Sequence, residues 1–244
     1  MPALNKANRQ VCDVDIRILK TMQPFLFFDT ANTTTAGLTG DAVYAMKKGT
    51  RAIAFQNPIE GSMTLEASVV PFKFYALLSD GLVETEAAYA KKETIKATTG
   101  GSLAIANAQA GSVFVYKTGE FGDEPIEGTY ANGTFTATTA SDIVADTNYE
   151  VGYIVVKDTG VKKVSFNNKK IPQDYFITMS TLDKDEIGVL TPFIMTAYKA
   201  SVQRDFELSF SSEGDPATMT LTFDLMEDKD GRVLDFVEDE SEAQ

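Results

Sequence analysis

Two acidic clusters near the end of the chain are the residues whose types and spacing could do chemistry. Glu213 and Asp215 precede an alternating run, and Asp228 and Asp230 follow it. Paired carboxylates can cleave glycosidic bonds when they lie within about 10 Å of each other. A strand rises about 3.3 Å per residue, so the run between the clusters spans about 40 Å. The two clusters therefore cannot form one carboxylate pair within this strand.

A calcium loop is the second chemistry that the later cluster suggests. If Gly231 is the loop glycine of an EF-hand, Asp228 and Asp230 fall at ligand positions. The first and twelfth ligands would then be Met226 and Val237, and both side chains are apolar. The register therefore predicts a β-turn here and no metal site.

Missing residue types exclude much of the remaining enzymology. The chain contains no histidine, so Ser-His and Cys-His nucleophile systems and His-ligated metals are ruled out. The one cysteine, Cys12, cannot form an internal disulfide, which is typical of a reducing compartment. No Walker loop, dinucleotide fingerprint or nucleophile-elbow motif occurs. We therefore predict a protein that is not an enzyme and has no cofactor.

The charge balance is strongly acidic. Thirty-five acidic residues face 22 basic ones, which gives a formal net charge of −13. No cluster of lysine and arginine stands out, so tight binding to DNA phosphates is disfavoured. No apolar run is long enough to cross a membrane as a helix, and we expect no membrane partner. Residues 238–244 are predicted to be an acidic, disordered tail.

Period-two alternation dominates the chain and predicts a mainly β protein. Residues 14–18 and 62–69 alternate as half-buried strands, and the apolar run at 25–29 suggests a strand buried on both faces. The small and polar residues 30–41 indicate a surface loop, and residues 42–55 a hairpin around "KKGT". One short helix is expected between Pro71 and Gly81, with Phe74, Leu77 and Leu78 facing the sheet.

A change in composition near residue 95 predicts a second domain. Residues 95–168 are rich in Thr, Gly, Ala and Val, and Asn132-Gly133 is a strong type I′ turn signal. We expect strands near 102–106, 112–117, 127–131, 134–138, 149–156 and 161–166 to form a small inserted β-sandwich. Residues 1–94 and 169–237 then form one discontinuous β-sandwich or partial barrel.

The last strands are predicted as a long antiparallel hairpin. Residues 205–211 form its first arm, and Gly214 and Pro216 lie in the turn. In the second arm one face is apolar and the other polar. The apolar residues are Met219, Leu221, Phe223 and Leu225; the polar ones are Thr218, Thr220, Thr222 and Asp224.

Two stretches resemble the tail tube, or major tail, proteins of tailed bacteriophages. They are "AIAFQNPIEGSMTLEASVVPFKFYALLSDG" at 52–81 and "VQRDFELSFSSEGDPATMTLTFDLMEDKDGRVLDF" at 202–236. The stretch from "GSVFVYK" to "VKKVSF", followed by "IPQDYFITMSTL", is similar to the variable β insertion of some of these proteins. The resemblance implies a β-sandwich or partial barrel flanked by a helix.

The resemblance also implies a structural function in the virion. Six copies would close into a ring, and stacked rings would form a hollow tail tube, assembled in the host cytoplasm. Its partners would be further copies, the tape-measure protein, a sheath protein if the tail contracts, and double-stranded DNA in transit. Thr218, Thr220, Thr222 and Asp224 would line the lumen. The candidates for contacts between subunits are Thr33, Thr35, Leu38, Lys47 and Lys48.

An alternative is another tail or baseplate protein, or a receptor- or glycan-binding module. It predicts an exposed aromatic cluster on the inserted domain, for instance around Phe121 and Tyr130. The tube-protein hypothesis predicts instead that the purified chain polymerises.

Overall fold

A computed structural model of the chain describes residues 5–98, 100–208 and 217–243. The described residues form antiparallel sheets with one short α-helix, which confirms the predicted fold class. The chain divides into two compact units, Met1–Leu82 with Ser165–Gln244, and Val83–Val164.

The strands and the helix are β1 Lys6–Asn8, β2 Asp13–Ile18, β3 Pro24–Phe28, β4 Thr33–Thr39, β5 Ala42–Lys47, β6 Thr50–Gln56, β7 Glu60–Ala67, α1 Phe74–Leu77, β8 Ala87–Lys96, β9 Ser102–Ala104, β10 Phe114–Lys117, β11 Gly128–Ala131, β12 Thr134–Ala137, β13 Asn148–Lys157, β14 Asp174–Asp185, β15 Leu190–Val202, β16 Met219–Met226 and β17 Leu234–Glu238. Single 3-10 turns cover Ala140–Asp142 and Glu240–Glu242.

The sheet of the first unit runs in the order β3-β2-β14-β15-β16-β7-β4, with β1 paired to β14 and β17 to β15. Its edge strands β3 and β4 are separated in the chain by only four residues, 29–32. Those residues bridge at most about 18 Å, whereas the edges of a flat seven-stranded sheet lie about 29 Å apart. The sheet must therefore curve, and the Cys12 N–H donates to Thr34 Oγ1 at 3.3 Å across the gap. This curvature makes the unit a partial barrel.

The concave side of this sheet is the core that the alternating pattern predicts. Its fully buried residues include Val14, Ile16, Met63, Leu65, Tyr175, Ile177, Met179, Leu221 and Phe223. Helix α1 and the following Leu78 close the core: Phe74, Leu77 and Leu78 are buried, as predicted, and the Phe28 and Phe74 rings lie 5.5 Å apart. Polar side chains alternate with these residues and face outward.

The helix is shorter than the eleven-residue segment from Pro71 to Gly81. The N–H groups of Phe74, Ala76 and Ser79 each donate to the carbonyl three residues earlier, so turns tighter than an α-helix flank its four residues. Gly81 then ends the segment with a φ of +78°, and its N–H donates to Ala76 O at 3.0 Å.

Three local predictions in this unit are wrong. The expected loop at 30–41 contains strand β4, because a run of β-branched threonines suits a pleated surface as well as a turn. The apolar run at 25–29 is not buried on both faces: β3 is an edge strand, and Phe27 is 61% exposed. Residues 203–208 are not a strand, so the predicted arm at 205–211 is absent as far as residue 208.

The predicted pairing of β16 with this arm is also wrong, because residues 203–208 form no strand with which it could pair. Strand β16 pairs along its length with β7 and, near its end, with β15. Position 210 of the expected arm, and the turn with Gly214 and Pro216, lie outside the described residues.

The second unit is a sandwich of two three-stranded sheets, β10-β13-β8 and β11-β12-β9. They enclose a core that includes Leu103, Val115, Phe135, Val151 and Tyr153. The turn Asn132-Gly133 has φ values of +50° and +79°, which confirms the type I′ prediction. The strand expected at 161–166 is wrong, since only an isolated bridge between Lys163 and Glu84 forms there.

The predicted boundaries differ from the observed elements at two places. The boundary expected between residues 94 and 95 falls inside β8, a ten-residue strand that the sequence pattern missed. The composition predicts disorder at 238–244. In the structure β17 ends at Glu238 and a 3-10 turn follows it. Asp239 Oδ1 accepts from the Ser241 N–H at 3.0 Å at the start of this turn.

Candidate functional site

Cross-strand register builds one polar surface on the outer side of β4, β7 and β16. In these strands the buried apolar residues turn inward, so the residues that alternate with them turn outward and form rows across the strands. One row joins Thr220, Glu66 and Thr33, and the next joins Thr222, Thr64 and Thr35. We call the outward polar side chains the polar face: Thr33, Thr35, Thr39, Glu60, Ser62, Thr64, Glu66, Thr220, Thr222 and Asp224.

The four lumen candidates are thus brought together with residues distant in sequence. Thr220, Thr222 and Asp224 belong to the polar face, and Thr218 extends it beyond the start of β16. The Thr218 and Ser68 hydroxyls lie 3.3 Å apart, and the Asn32 side-chain amide donates to Ser68 Oγ at 2.9 Å. A chain of small hydroxyl and amide groups therefore continues the surface.

The polar face is a weakly acidic surface. Strands β4, β7 and β16 contain no lysine or arginine, and the acids on the face are Glu60, Glu66 and Asp224. The Gln203 side-chain amide donates to Asp224 Oδ1 at 2.7 Å, which fixes that carboxylate beside the sheet. Such a surface offers hydroxyls to water and no cation to a phosphate.

The candidates for subunit contacts separate into two groups. Thr33 and Thr35 lie on the polar face, on the edge strand β4. Leu38 lies on the opposite side of that strand, and a Cβ at Gly61 would come within 3.0 Å of its Cδ2. Lys47 and Lys48 are at the tip of the β5–β6 hairpin.

The β5–β6 hairpin confirms the prediction for residues 42–55. Lys47 pairs with Thr50, and the two turn residues Lys48 and Gly49 have φ values of +52° and +84°. These values fit the type I′ turn, whose twist matches that of the strands. The Asn57 N–H donates to Asp41 O at 2.9 Å and closes the base of the hairpin.

Both faces of this hairpin are exposed. Its strands form a separate two-stranded sheet, and every residue of β5 and β6 except Ala42 is exposed. Val43 and Phe55 lie directly opposite each other and are 60% and 59% exposed. The further exposed apolar residues are Tyr44, Met46 and Ile53. The hairpin thus presents apolar surface that this chain does not bury.

The acidic clusters do not form a catalytic or metal site in the described residues. Asp228 Oδ1 accepts from the N–H groups of Asp230 and Arg232, and Oδ2 accepts from the Arg232 guanidinium at 2.8 Å. The Arg232 N–H, together with that guanidinium, lowers the pKa of Asp228. This carboxylate organises the turn, as the β-turn prediction expected. Glu213 and Asp215 lie outside the described residues.

Metal sites and membrane helices are also missing from the part of the chain that the structure describes. No group of three or more Asp, Glu, Cys or His residues there could hold a metal ion. No described helix has the length and apolar character needed to span a bilayer.

The second unit carries an exposed aromatic cluster around Phe121. Phe114 and Tyr116 lie on the outer side of the sheet β10-β13-β8, and the Phe121 and Tyr116 rings are 5.0 Å apart. Tyr130 is not part of this cluster, because its hydroxyl donates to Ile105 O at 2.8 Å and its ring packs on the core. Sequence reasoning missed Phe114 and Tyr116, which alternate with the buried Val115.

Sequence reasoning also missed Ser62, Thr64 and Glu66 as members of the polar face. Their alternation with Met63 and Leu65 was visible, and it identified them as outward-facing. The pairing of β7 with β16 was not visible, because about 150 residues separate the two strands.

The sequence model of the YomU/Tube protein family matches residues 9–237. The matched residues begin before β2 and end within β17, so they cover both units. A search of curated proteins found no match to the chain. The family match agrees with the resemblance to phage tail proteins at the level of a tube-like structural protein.

Proposed function

The chain belongs to the YomU/Tube protein family, and from this membership and its uncovered surfaces we propose that it polymerises into the tail tube of a phage. Six copies close into a ring, and stacked rings form the hollow tube. The tube encloses the tape-measure protein during assembly in the host cytoplasm and passes double-stranded DNA during ejection. The role is structural, and a sheath protein is a further partner if the tail contracts.

The β5–β6 hairpin is the observation that carries this proposal. A two-stranded hairpin is at best marginally stable in water without further packing. This one exposes Val43, Tyr44, Met46, Ile53 and Phe55 on its two faces. Contiguous exposed apolar surface of this kind marks an interaction site. A neighbouring copy of the chain would bury it, with Lys47 and Lys48 reaching towards the acidic surface of that copy.

The open sheet edges supply a second contact. Strands β3 and β4 are the two ends of the strand order in the first unit. An edge strand presents backbone N–H and C=O groups that another chain can pair with. Thr33, Thr35 and Leu38 lie on β4, and Phe27 is exposed on β3. A contact between two different surfaces that closes on itself gives a ring.

The polar face supplies the lumen. Thr218, Thr220, Thr222 and Asp224 lie beside Thr64 and Glu66, on strands that carry no cationic side chain. Double-stranded DNA is held mainly by lysine and arginine contacts to its phosphates. A hydroxyl-rich, weakly acidic wall therefore lets DNA slide without retaining it.

Negative-stain electron microscopy of the purified full chain, over a range of concentration and salt, tests the proposal. We expect rings and tubes of one diameter with a central channel. Monomers that persist under all these conditions, with no rings or tubes, would contradict it.

A further inference from the structure

The outer side of the sheet β10-β13-β8 carries a groove of about 680 Å³, lined by residues of the second unit alone. This size lies within the range of sites for small ligands. Phe114, Tyr116 and Phe121 supply its aromatic surface, and Phe114 and Phe121 are 50% and 43% exposed. Exposed aromatic rings in a concave site offer flat apolar faces to a ligand.

The position of the Phe121 ring depends on a glycine beneath it. Gly152 lies opposite Phe114 in the register, on the same side of the sheet. A Cβ at Gly152 would come within 3.0 Å of the Phe121 ring, so the ring lies directly on the strand. Tyr116 packs against the ring at 5.0 Å, and Lys92 Nζ lies 4.3 Å from its centroid. These contacts hold the ring in one place before any ligand arrives.

The charges beside the rings are paired. Lys92 Nζ lies 2.9 Å from Glu150 Oε2, and Glu150 is directly opposite Tyr116 in the register. The residues that line the groove include Lys91 and Lys92 and no acid, but Lys91 is paired with Glu93 and Lys92 with Glu150. Neither ammonium is therefore left without a counter-charge, on a chain of net charge −13. Nucleic acid needs cations that track its phosphates. A purely aliphatic ligand would strip water from the ion pair without replacing its hydrogen bonds.

From this combination we propose that the groove binds an uncharged carbohydrate chain. A sugar ring has an apolar face of C–H groups that stacks on an aromatic side chain, and a rim of hydroxyls. Those hydroxyls accept from the Lys92 ammonium, which the Glu150 carboxylate holds beside the rings. The site shares no residue with the polar face or the β5–β6 hairpin, and it does not depend on the proposed tube function.

Isothermal titration of the full chain with neutral hexasaccharides tests this inference. The panel is chitohexaose, maltohexaose, mannohexaose and xylohexaose, with polygalacturonate and an oligothymidylate as charged comparisons. We expect at least one neutral hexasaccharide to bind with a Kd between about 10 μM and about 1 mM. Absence of binding by all four, or tighter binding of either charged polymer, would overturn the proposal.

Variants then assign the binding to the groove. Phe121→Ala and Phe114→Ala each remove an aromatic face, and we expect Kd to rise at least about tenfold. Gly152→Ala, which displaces the Phe121 ring, should also weaken binding. Tyr89→Ala is the matched control: Tyr89 is 43% exposed on β8 but lies opposite the buried Val155, on the other side of the sheet. Equal loss in the control and the groove variants would contradict the site.

Discussion

Tyr175 illustrates at the residue scale how the core tolerates a polar atom. Its side chain is fully buried on β14, and its ring lies 5.6 Å from that of Phe25. The hydroxyl has no hydrogen-bond partner among the described residues. Burial, with a smaller contribution from the Asp80 carboxylate, raises the pKa of Tyr175 above its usual range. A buried hydroxyl without a partner costs free energy that a phenyl ring does not.

The substitution Tyr175→Phe is therefore expected to raise the free energy of unfolding by about 1 kcal/mol, because it removes an unsatisfied polar group and keeps the ring. Urea unfolding followed by circular dichroism at pH 7 measures this. The folded state holds the Tyr175 proton more tightly than the unfolded state. The wild-type chain should therefore lose stability as the pH rises above about 10, more steeply than the variant.

Tyr149→Phe is the matched control for this prediction. The Tyr149 hydroxyl accepts from the Val144 N–H at 2.7 Å and donates to Asp142 O at 3.2 Å. The same substitution there should lower stability by about 1 kcal/mol, because it leaves a backbone donor without its partner. A loss of stability in both variants would refute the explanation given for Tyr175.

At the scale of elements, the β5–β6 hairpin is the least buried part of the first unit. Its strands pair only with each other among the described residues, and Arg51 stacks on the Tyr44 ring at 4.2 Å. Its shape is set locally by the Lys48-Gly49 turn. Its apolar surface does not contribute to the core, so the surface can change without unfolding the unit.

The double substitution Val43→Ser with Phe55→Ser is accordingly expected to prevent tube formation while leaving the melting temperature of the unassembled chain nearly unchanged. The two side chains form one cross-strand pair on one face, and replacing them removes apolar area that a neighbouring copy would bury. Sedimentation and negative-stain microscopy measure assembly, and thermal unfolding of the unassembled chain measures stability.

Val144→Ser provides the control, since Val144 is 58% exposed on the second unit and Val43 is 60% exposed. Tubes of normal length are expected from this variant. If the hairpin variant also formed normal tubes, the hairpin would not be the assembly contact.

For the whole molecule, the dominant electrostatic feature is a strong negative charge, combined with a polar face that carries no lysine or arginine. The net charge of −13 repels DNA at long range, and the polar face lacks the lysine and arginine that would hold phosphates. In the proposed tube these two features together favour passage of DNA over retention.

Introducing a cation on the polar face is expected to reverse this behaviour. Thr222 lies directly opposite Thr64 in the register of β16 and β7, so Thr222→Lys adds one ammonium per subunit to the proposed lumen. Assembled variant tubes should retain short double-stranded DNA at low salt and release it as the salt concentration rises, whereas wild-type tubes should not retain it. Co-sedimentation of fluorescent DNA with the tubes measures retention.

Thr129→Lys adds the same charge on an exposed strand residue of the second unit and is the control. Equal DNA retention by both variants would show that charge alone, and not its place on the polar face, controls binding.

The sequence determined the features that depend on neighbours along the chain. Alternation identified Met219, Leu221, Phe223 and Leu225 as the inward side of β16, because successive side chains of a strand point to opposite faces. The turn at Asn132-Gly133 was also predictable, because both residues tolerate positive φ, and Gly49 supplies the same freedom in the turn of the β5–β6 hairpin. Composition alone limited the chemistry, because the chain has no histidine and no cluster of lysine and arginine.

The tertiary structure alone decided which strands became neighbours. Period-two alternation gives the face of a residue but not the partner of its strand, so the pairing of β16 with β7 could not be derived. The polar face results from that pairing and from the pairing of β4 with β7. Strand β4 lies in a threonine-rich stretch that was predicted as a loop. The groove likewise depends on the contact between the Phe121 ring and Gly152, which lie about 30 residues apart in the sequence. Such contacts depend on long-range packing, which local sequence preferences do not encode.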